Sequence, residues 1–129
     1  MKYLLDTNII VALTIDEDEN VIRRAAACDA GDMVTSSIAL AEVAFGSEQG
    51  QPPTMEELRA FVDEVPVLDF DYKAAMAYAQ LPFKRASFDR LIAAHAVSKE
   101  LIVVTRNEKD FADVPGLVVE NWTINEIDA

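Results

Sequence analysis

The chain has 129 residues, of which 51% are hydrophobic, and its 23 acidic and 11 basic residues give a formal net charge of −12. This length and composition fit one globular domain with a sizeable core, residues 1–129. They exclude nonspecific nucleic-acid binding through a broadly basic surface. No apolar run reaches the ~20 residues of a membrane helix. The single cysteine, Cys28, has no partner for a disulfide, and we expect a cytoplasmic protein.

Hydrophobic periodicity predicts alternating strands and helices along the chain. Strands are predicted at residues 2–5, 33–36, 65–68, 101–105 and 117–120. Helices are predicted over residues 9–13, 21–30, 37–45, 54–63, 71–80 and 88–99, with a turn at Thr7-Asn8 and a short helix after Trp122. Strand and helix alternate about five times, which indicates an α/β fold with one parallel sheet and helices on both faces.

Local signals mark where several of these elements begin. Thr54 and Glu57 have the T-x-x-E spacing of a capping box. Pro66 favours an edge position for the third strand. Ser87 stands where an N-cap belongs, which places Asp89 in the first turn of the helix that follows.

Four acids are predicted near the carboxyl edge of the sheet, where open parallel sheets bind ligands. Asp6 follows the first strand, Glu42 lies in the apolar helix after the second, Asp89 precedes the fourth and Asp110 follows it. A glutamate in so apolar a helix either reaches outward or faces a site that compensates its charge. The structural alternative is that Asp6 and Asp89 only favour helix N-termini and that Asp110 is a solvated loop acid.

Four carboxylates in one cleft repel one another unless protons or cations intervene. Hard cations such as Mg²⁺ and Mn²⁺ take oxygen ligands, keep several waters and bind substrate phosphate. Hydrolysis of a phosphodiester fits this chemistry, with one metal ion activating water and a second, about 3.5–4 Å away, stabilising the leaving oxygen.

The chain resembles the PIN-domain ribonucleases of the VapC toxin type. The matching segments, in the expected order over nearly the whole chain, are LLDTNIIVAL (4–13), SSIALAEVAFG (36–46), FDRLIAAHA (88–96), VVTRNEKDF (103–111) and VPGLVVENW (114–122). The resemblance implies a five-stranded parallel sheet of order 3-2-1-4-5 and RNA cleavage that depends on one or two Mg²⁺ or Mn²⁺ ions. It assigns catalysis and metal binding to Asp6, Glu42, Asp89 and Asp110.

The resemblance also implies a set of polar side chains around the acids and a set of partners. Asn8, Ser36, Thr105 and Asn107 match positions that line the site or orient its carboxylates, a role for which short amides and hydroxyls are suited. Toxins of this type dimerise, cut RNA such as tRNA or another structured RNA, and bind an antitoxin protein whose tail brings a basic side chain to the site.

The chain departs from the family between Glu42 and Asp89, where the segment YAQLPFKRASFD replaces a longer helix and basic stretch. The basic residues expected near the site are Lys84, Arg85, Arg90 and Arg106. We expect them to contact the RNA backbone; the alternative is that they neutralise nearby acids.

Other residues and functions have alternatives that stay open. His95, Phe111 and Trp122 are expected to pack in the core, as by default are Phe45, Phe61, Tyr78 and Phe83, which would otherwise line a groove for a partner helix. The alternative functions are an inactive PIN-like binding scaffold, a stand-alone RNA-processing nuclease, and phosphoaspartyl chemistry at Asp6. Phosphoaspartyl chemistry needs a second acid two residues after Asp6, where this chain has Asn8. It also needs a lysine directly after a strand, and no predicted strand is followed by one.

Overall fold

The computed structural model describes residues 1–124 and shows strands and helices alternating along the chain. In chain order the elements are β1 Tyr3–Leu5, α1 Thr7–Thr14, α2 Glu19–Ala26, β2 Met33–Ser36, α3 Ser37–Glu48, α4 Met55–Glu64, β3 Val67–Leu68, α5 Tyr72–Ala79, α6 Phe88–Lys99, β4 Ile102–Val104, the 3₁₀ turn Glu108–Asp110 and β5 Val119–Glu120. None of the helices within residues 1–124 is long and apolar enough to cross a membrane.

The strands form one parallel sheet in the order β3-β2-β1-β4-β5, which confirms the predicted fold and strand order. Leu4 pairs in register with Val34 on one side and Val103 on the other. All three side chains are buried, as expected for a parallel sheet covered by helices. Because every strand runs the same way, the residues that follow β1, β2 and β4 meet at one edge of the sheet.

The core lies on both sides of this sheet and is built from short apolar runs. Leu4, Leu5, Ile9 and Ile10 are fully buried, so β1 and the first turns of α1 sit at the centre of the domain. The largest fully buried side chains are Trp122 and Phe111, which confirms that both are core residues.

Side-chain caps fix the helix starts that the sequence predicts. The Ser87 hydroxyl accepts a hydrogen bond from the backbone N–H of Arg90, which starts α6 and leaves Asp89 in its first turn. Thr54 and Glu57 form both hydrogen bonds of the capping box at the start of α4. Because the sheet is parallel, α1 and α3, which directly follow β1 and β2, begin at its carboxyl edge, as does α6, which leads into β4.

Several boundaries differ from the sequence prediction. Helix α1 begins directly at Thr7 rather than after a turn, because Asp6 itself caps it. Helix α3 continues through Gly46 to Glu48, and α2 is shifted toward the N-terminus, spanning Glu19–Ala26. The outer strands are shorter than predicted, since each pairs on one side only. The short helix predicted after Trp122 falls largely outside the described residues.

Two aromatic side chains contradict the expected core packing. Phe45 is 70% exposed and Phe83 is fully exposed, whereas Phe61 and Tyr78 are half-buried. Phe45 points away from the sheet on α3, and Phe83 lies in the short connection between α5 and α6. Periodicity cannot place a residue outside a regular element, so local patterns contain no sign that Phe83 is exposed.

Candidate active site

Asp6 forms the centre of the site, at the carboxyl end of β1 and the N-cap of α1. Its Oδ1 accepts a hydrogen bond of 2.8 Å from the backbone N–H of Thr7, and its Oδ2 accepts one of 2.8 Å from the Thr105 hydroxyl. The side chain is 2% exposed. Two neighbouring strands and a helix N-terminus therefore hold this carboxylate in one position.

Asn8 and Thr105 connect the two strands around Asp6. The Asn8 amide nitrogen lies 3.4 Å from both Asp6 Oδ2 and Thr105 Oγ1, and Asn8 Oδ1 accepts a hydrogen bond from the backbone N–H of Arg106. Asn107 donates its backbone N–H to Thr105 Oγ1 at 3.0 Å. Asn8 and Thr105 thus contact Asp6 through their side chains, whereas Asn107 acts through its backbone.

Glu42 is half-buried on α3 and accepts a hydrogen bond of 2.9 Å from the Thr7 hydroxyl. Sequence reasoning missed Thr7, which appeared only as part of a turn. The available signal was its position: the first residue of a helix that starts at an acid presents its side chain at the same edge as that acid. Through Thr7, the positions of Asp6 and Glu42 are coupled.

Asp89 and Asp110 line one cavity of about 270 Å³. Asp89 is half-buried in the first turn of α6, and Asp110 is exposed at the end of the 3₁₀ turn. Lys109, which the sequence analysis also missed, lines the same cavity next to Asp110.

Burial and mutual repulsion raise the pKa values of three of the acids. The pKa of Asp6 is raised mainly by its burial and then by the charges of Glu42 and Asp110, against the hydrogen bonds from Thr105 and Thr7. The pKa of Glu42 is raised by its burial and by Asp89. The pKa of Asp89 is raised to about 6 by burial and by the charges of Asp6 and Asp110. All four acids therefore interact electrostatically in one cluster.

The donor set of this cluster fits a hard divalent cation. Its donors are carboxylate oxygens, whose pKa values are raised first by burial and then by the charges of the neighbouring acids. Within residues 1–124, no three histidine, cysteine, aspartate or glutamate side chains are arranged to hold one ion together. An ion that binds to these side chains as they are arranged in the structure therefore has one or two carboxylate ligands and keeps several waters, as Mg²⁺ usually does.

The hydrogen bonds of the Ser36 side chain go to the start of α3 and to His95, and its expected role in lining the site stays a prediction. Its hydroxyl caps α3 by accepting the backbone N–H of Ile38 and lies 2.8 Å from Nδ1 of His95. Both Ser36 and His95 are fully buried, and burial lowers the pKa of His95. The pair joins α6 to the end of β2, so these contacts support a structural role for Ser36 and confirm that His95 packs inside the protein.

The four basic residues expected near the site differ in their surroundings. Lys84 and Arg85 are exposed and line the cavity that contains Asp89 and Asp110. The Arg106 guanidinium lies 3.6 Å from Glu17 and 3.9 Å from Asp18, beside the loop before α2. Whether these three bind RNA remains a prediction.

Arg90 is instead a buried structural residue. It is 4% exposed, and its guanidinium donates to the carbonyl of Pro82 and lies 3.2 Å from Asp113. A guanidinium engaged in this way cannot reach out to a phosphate, so its placement contradicts the expected RNA contact. Sequence reasoning could not separate it from Lys84 and Arg85 because burial of a charged residue depends on partners that are distant in sequence.

Comparison with known proteins agrees with this fold. A family model described as PIN domain matches residues 3–117. The chain belongs to the PIN-domain family. A PIN-domain relative from Shigella flexneri named tRNA(fMet)-specific endonuclease VapC is 36% identical over 132 residues, covering 95% of this chain and 99% of that protein.

Solved structures of VapC-type PIN domains share the fold. One is VapBC2 from Rickettsia felis bound to a DNA fragment from its promoter, with a TM-score of 0.83 and 28% identity, covering 95% of this chain and 99% of that one. Another is DNA-bound VapBC from Salmonella typhimurium, with a TM-score of 0.81 and 30% identity, covering 95% and 98%. The PIN domain of this chain is therefore of the VapC type.

The raised pKa of Asp89 predicts how stability changes with pH in the metal-free protein. Because the folded pKa, about 6, exceeds the ordinary value of 3.8, the folded state holds the proton more tightly, and the free energy of unfolding falls as pH rises from about 4 to 6. In EDTA at pH 7, we expect Asp89→Asn to raise that free energy by about 1 kcal/mol, a figure reduced for solvent screening of a half-exposed group. Below pH 4 the difference should disappear.

Denaturant unfolding at several pH values measures this effect, and Asp71 offers a control of opposite sign. Asp71 caps α5 and pairs with Lys99 at 2.6 Å, which lowers the pKa of its carboxyl to about 2. Asp71→Asn should therefore destabilise the protein at pH 7. A lower stability for Asp89→Asn than for wild type in EDTA at pH 7 would contradict the raised pKa of Asp89, which burial and the neighbouring acids cause.

Proposed function

We propose that the chain is a metal-dependent endoribonuclease and the toxin of a toxin–antitoxin pair. The observation that carries the proposal is the cluster of mutually repelling carboxylates of Asp6, Glu42, Asp89 and Asp110 at the carboxyl edge of the sheet. The ribonuclease names of the relatives, including that of the Shigella flexneri protein, support RNA as the substrate.

Asp6, Glu42, Asp89 and Asp110 would hold one or two Mg²⁺ or Mn²⁺ ions, dividing the ligands between them or binding partly through water. Bound there, such ions activate a water molecule and stabilise negative charge on the phosphodiester. The chain's own groups fix the geometry: Thr105 and the Thr7 amide hold Asp6, and the Thr7 hydroxyl orients Glu42. Lys84, Arg85 and Lys109 line the same cavity and attract phosphate toward carboxylates that would otherwise repel it.

The partner is proposed from the same comparisons. The related structures from Rickettsia felis and Salmonella typhimurium are VapBC assemblies, so we propose an antitoxin protein as the partner of this chain and a homodimer as its own assembly. With a net charge of −12, this chain favours a basic segment in that partner. An antitoxin Arg or Lys placed among the four carboxylates would compensate their charge in place of a metal ion.

Cleavage of a panel of RNAs, including tRNAs, tests the proposed activity. We expect purified protein to cut at least one RNA in Mg²⁺ or Mn²⁺ and to cut none in EDTA, and we expect Asp89→Asn to remove the cutting. Binding of Mn²⁺, measured by calorimetry on the same samples, separates the alternatives. A chain that neither cuts nor binds Mn²⁺ is an inactive scaffold, and cleavage that persists in EDTA contradicts metal dependence.

A further inference from the structure

The connection between α5 and α6, residues 80–87, places an unpaired aromatic ring beside the site. Phe83 is fully exposed, although a phenylalanine in a folded protein usually buries about 150 Å² of surface or more. Leu81 of the same connection packs against the core, whereas the Phe83 ring does not. A single exposed ring is common on protein surfaces, so its meaning depends on the groups around it.

The position of this connection is fixed by Arg90. The buried Arg90 guanidinium donates to the carbonyl of Pro82, next to Phe83, and pairs with Asp113. Lys84 pairs with the same Asp113 at 3.1 Å. Arg90 directly follows Asp89 in α6, so the loop is tied to the helix that carries one of the site acids. Arg90 is thus a positioning residue for the loop.

The basic residues of the chain concentrate at this point. Lys84, Arg85, Arg90 and Lys109 line the cavity of about 270 Å³ that contains Asp89 and Asp110. These are four of the 11 lysines and arginines in a chain of net charge −12. Arg90 is buried and shares Asp113 with Lys84, so the exposed side chains of Lys84, Arg85 and Lys109 form the basic rim that can attract a polyanion.

A second hollow continues from this rim, away from the acids. It has a volume of about 410 Å³, and its lining includes Tyr78 and Phe83 together with Lys84, Arg85 and Arg90. The three basic residues are common to both hollows. The surface therefore runs from carboxylates to a basic rim and then to an aromatic hollow.

We propose that the second hollow is a nucleobase subsite. An unpaired base of the RNA stacks on Phe83, and Lys84 and Arg85 contact the phosphates between that base and the carboxylates. Proteins that bind single-stranded RNA combine aromatic stacking platforms with basic residues along the backbone in this way. The inference rests on the proposed ribonuclease function and adds to it a preference for RNA that is unpaired next to the cleaved bond.

A second copy of the chain is the competing occupant of this surface. Aromatic and arginine side chains are common at protein–protein interfaces, so Phe83 and Arg85 would suit a second copy too, but lysine is depleted there and Lys84 lines both hollows. The carboxylate cluster at the end of the same surface also needs a substrate that brings phosphate to it. RNA therefore accounts for the aromatic, basic and acidic groups together.

Binding of short RNAs to variants in an Asp6→Asn background, which binds without cutting, tests the subsite. We expect Phe83→Ala to weaken binding of a single-stranded oligonucleotide about tenfold, the loss of one base stack, and Phe83→Trp to retain it. Replacing one nucleotide of the oligonucleotide by an abasic residue should remove the difference between Phe83 and its alanine variant. Fluorescence anisotropy measures the binding.

Tyr72→Ala is the matched control. Tyr72 is 77% exposed at the start of α5, where Asp71 pairs with Lys99 at the end of α6 opposite to Asp89. Its removal should leave RNA binding unchanged. Equal binding by wild type and Phe83→Ala overturns the subsite, as does an alanine variant that changes only the oligomeric state in ultracentrifugation. If wild-type protein cuts RNA while either result holds, the proposed function stands and the subsite alone fails.

Discussion

Replacing Asp6 with asparagine is expected to reduce RNA cleavage about a thousandfold while the protein remains folded. Asparagine has the same shape, and its Oδ1 still accepts the backbone N–H of Thr7, so α1 keeps its cap. The amide nitrogen takes the place of Oδ2, where the Thr105 hydroxyl turns to accept instead of donating. The change therefore removes a charge at the centre of the site and, besides that, only the long contact of 3.4 Å from the Asn8 amide nitrogen to Oδ2.

Initial rates of RNA cleavage in Mn²⁺ measure the loss, and thermal unfolding checks the fold. Glu42→Gln and Asp89→Asn should behave alike, because each removes one carboxylate from the same cluster. Thr105→Val should have a smaller effect, about 10- to 100-fold, since it leaves the Asp6 carboxylate in place but releases one of its hydrogen bonds. Asp71→Asn should leave the rate unchanged, because Asp71 caps α5 and pairs with Lys99, at the end of α6 that lies away from Asp89.

Cleavage that survives in all three acid variants would rule out the carboxylate cluster as the catalytic centre. A loss of cleavage that accompanies unfolding in EDTA would also count against the assignment, because the raised pKa values predict that removing one of these charges stabilises the metal-free protein. For a functional site, the same acid variants should therefore lose cleavage and gain stability in EDTA. If the acids were only helix caps, the same variants would lose stability instead.

The sheet order was available from the sequence only through the family resemblance, whereas the alternation of strands and helices was available from residue patterns. Apolar runs such as residues 101–105 indicate buried strands, and caps such as Ser87 indicate helix starts, because both depend on local chemistry. The structure confirms them. The shortened edges of β3 and β5 depend on which strand lies beside which, and local patterns do not contain that information.

Asp6, Asp89 and Asp110 could be predicted because each stands next to a strand or helix boundary, and Glu42 because it is the one acid inside an apolar stretch of α3. The hydrogen-bond partners around these acids could not be predicted in the same way. Thr7 reaches Glu42 across 35 residues of sequence, and His95 rather than an acid engages Ser36 across 59. Such pairs form only when the helices have packed on the sheet, so residue type suggests a polar partner without saying which one.

The end of the described chain also stabilises the fold. Trp122 is 1% exposed and packs edge-on against Tyr3 of β1, with ring centroids 5.0 Å apart. Its indole N–H donates to Glu120 at 2.9 Å, and the Arg24 guanidinium lies 5.5 Å from the ring centroid. One side chain therefore joins the first strand, the second helix and the segment after the last strand.

Trp122→Ala is expected to lower the free energy of unfolding by about 3–5 kcal/mol, the usual cost of truncating a buried aromatic residue. That is a large part of the roughly 5–15 kcal/mol that stabilises a typical domain. Denaturant unfolding in EDTA measures the loss without a contribution from metal binding. Trp122→Phe should cost much less, because it keeps an aromatic ring against Tyr3 and loses mainly the hydrogen bond to Glu120.

Phe83→Ala is the control for Trp122→Ala in the measurement of stability. Both variants remove an aromatic ring, but Phe83 is fully exposed and Trp122 is buried. We expect Phe83→Ala to leave stability unchanged within about 0.5 kcal/mol. A small cost for Trp122→Ala would show that the C-terminal segment does not hold β1 in place. In that case the position of Asp6, which directly follows β1, would depend on its hydrogen bonds to Thr7 and Thr105 rather than on packing beneath the strand.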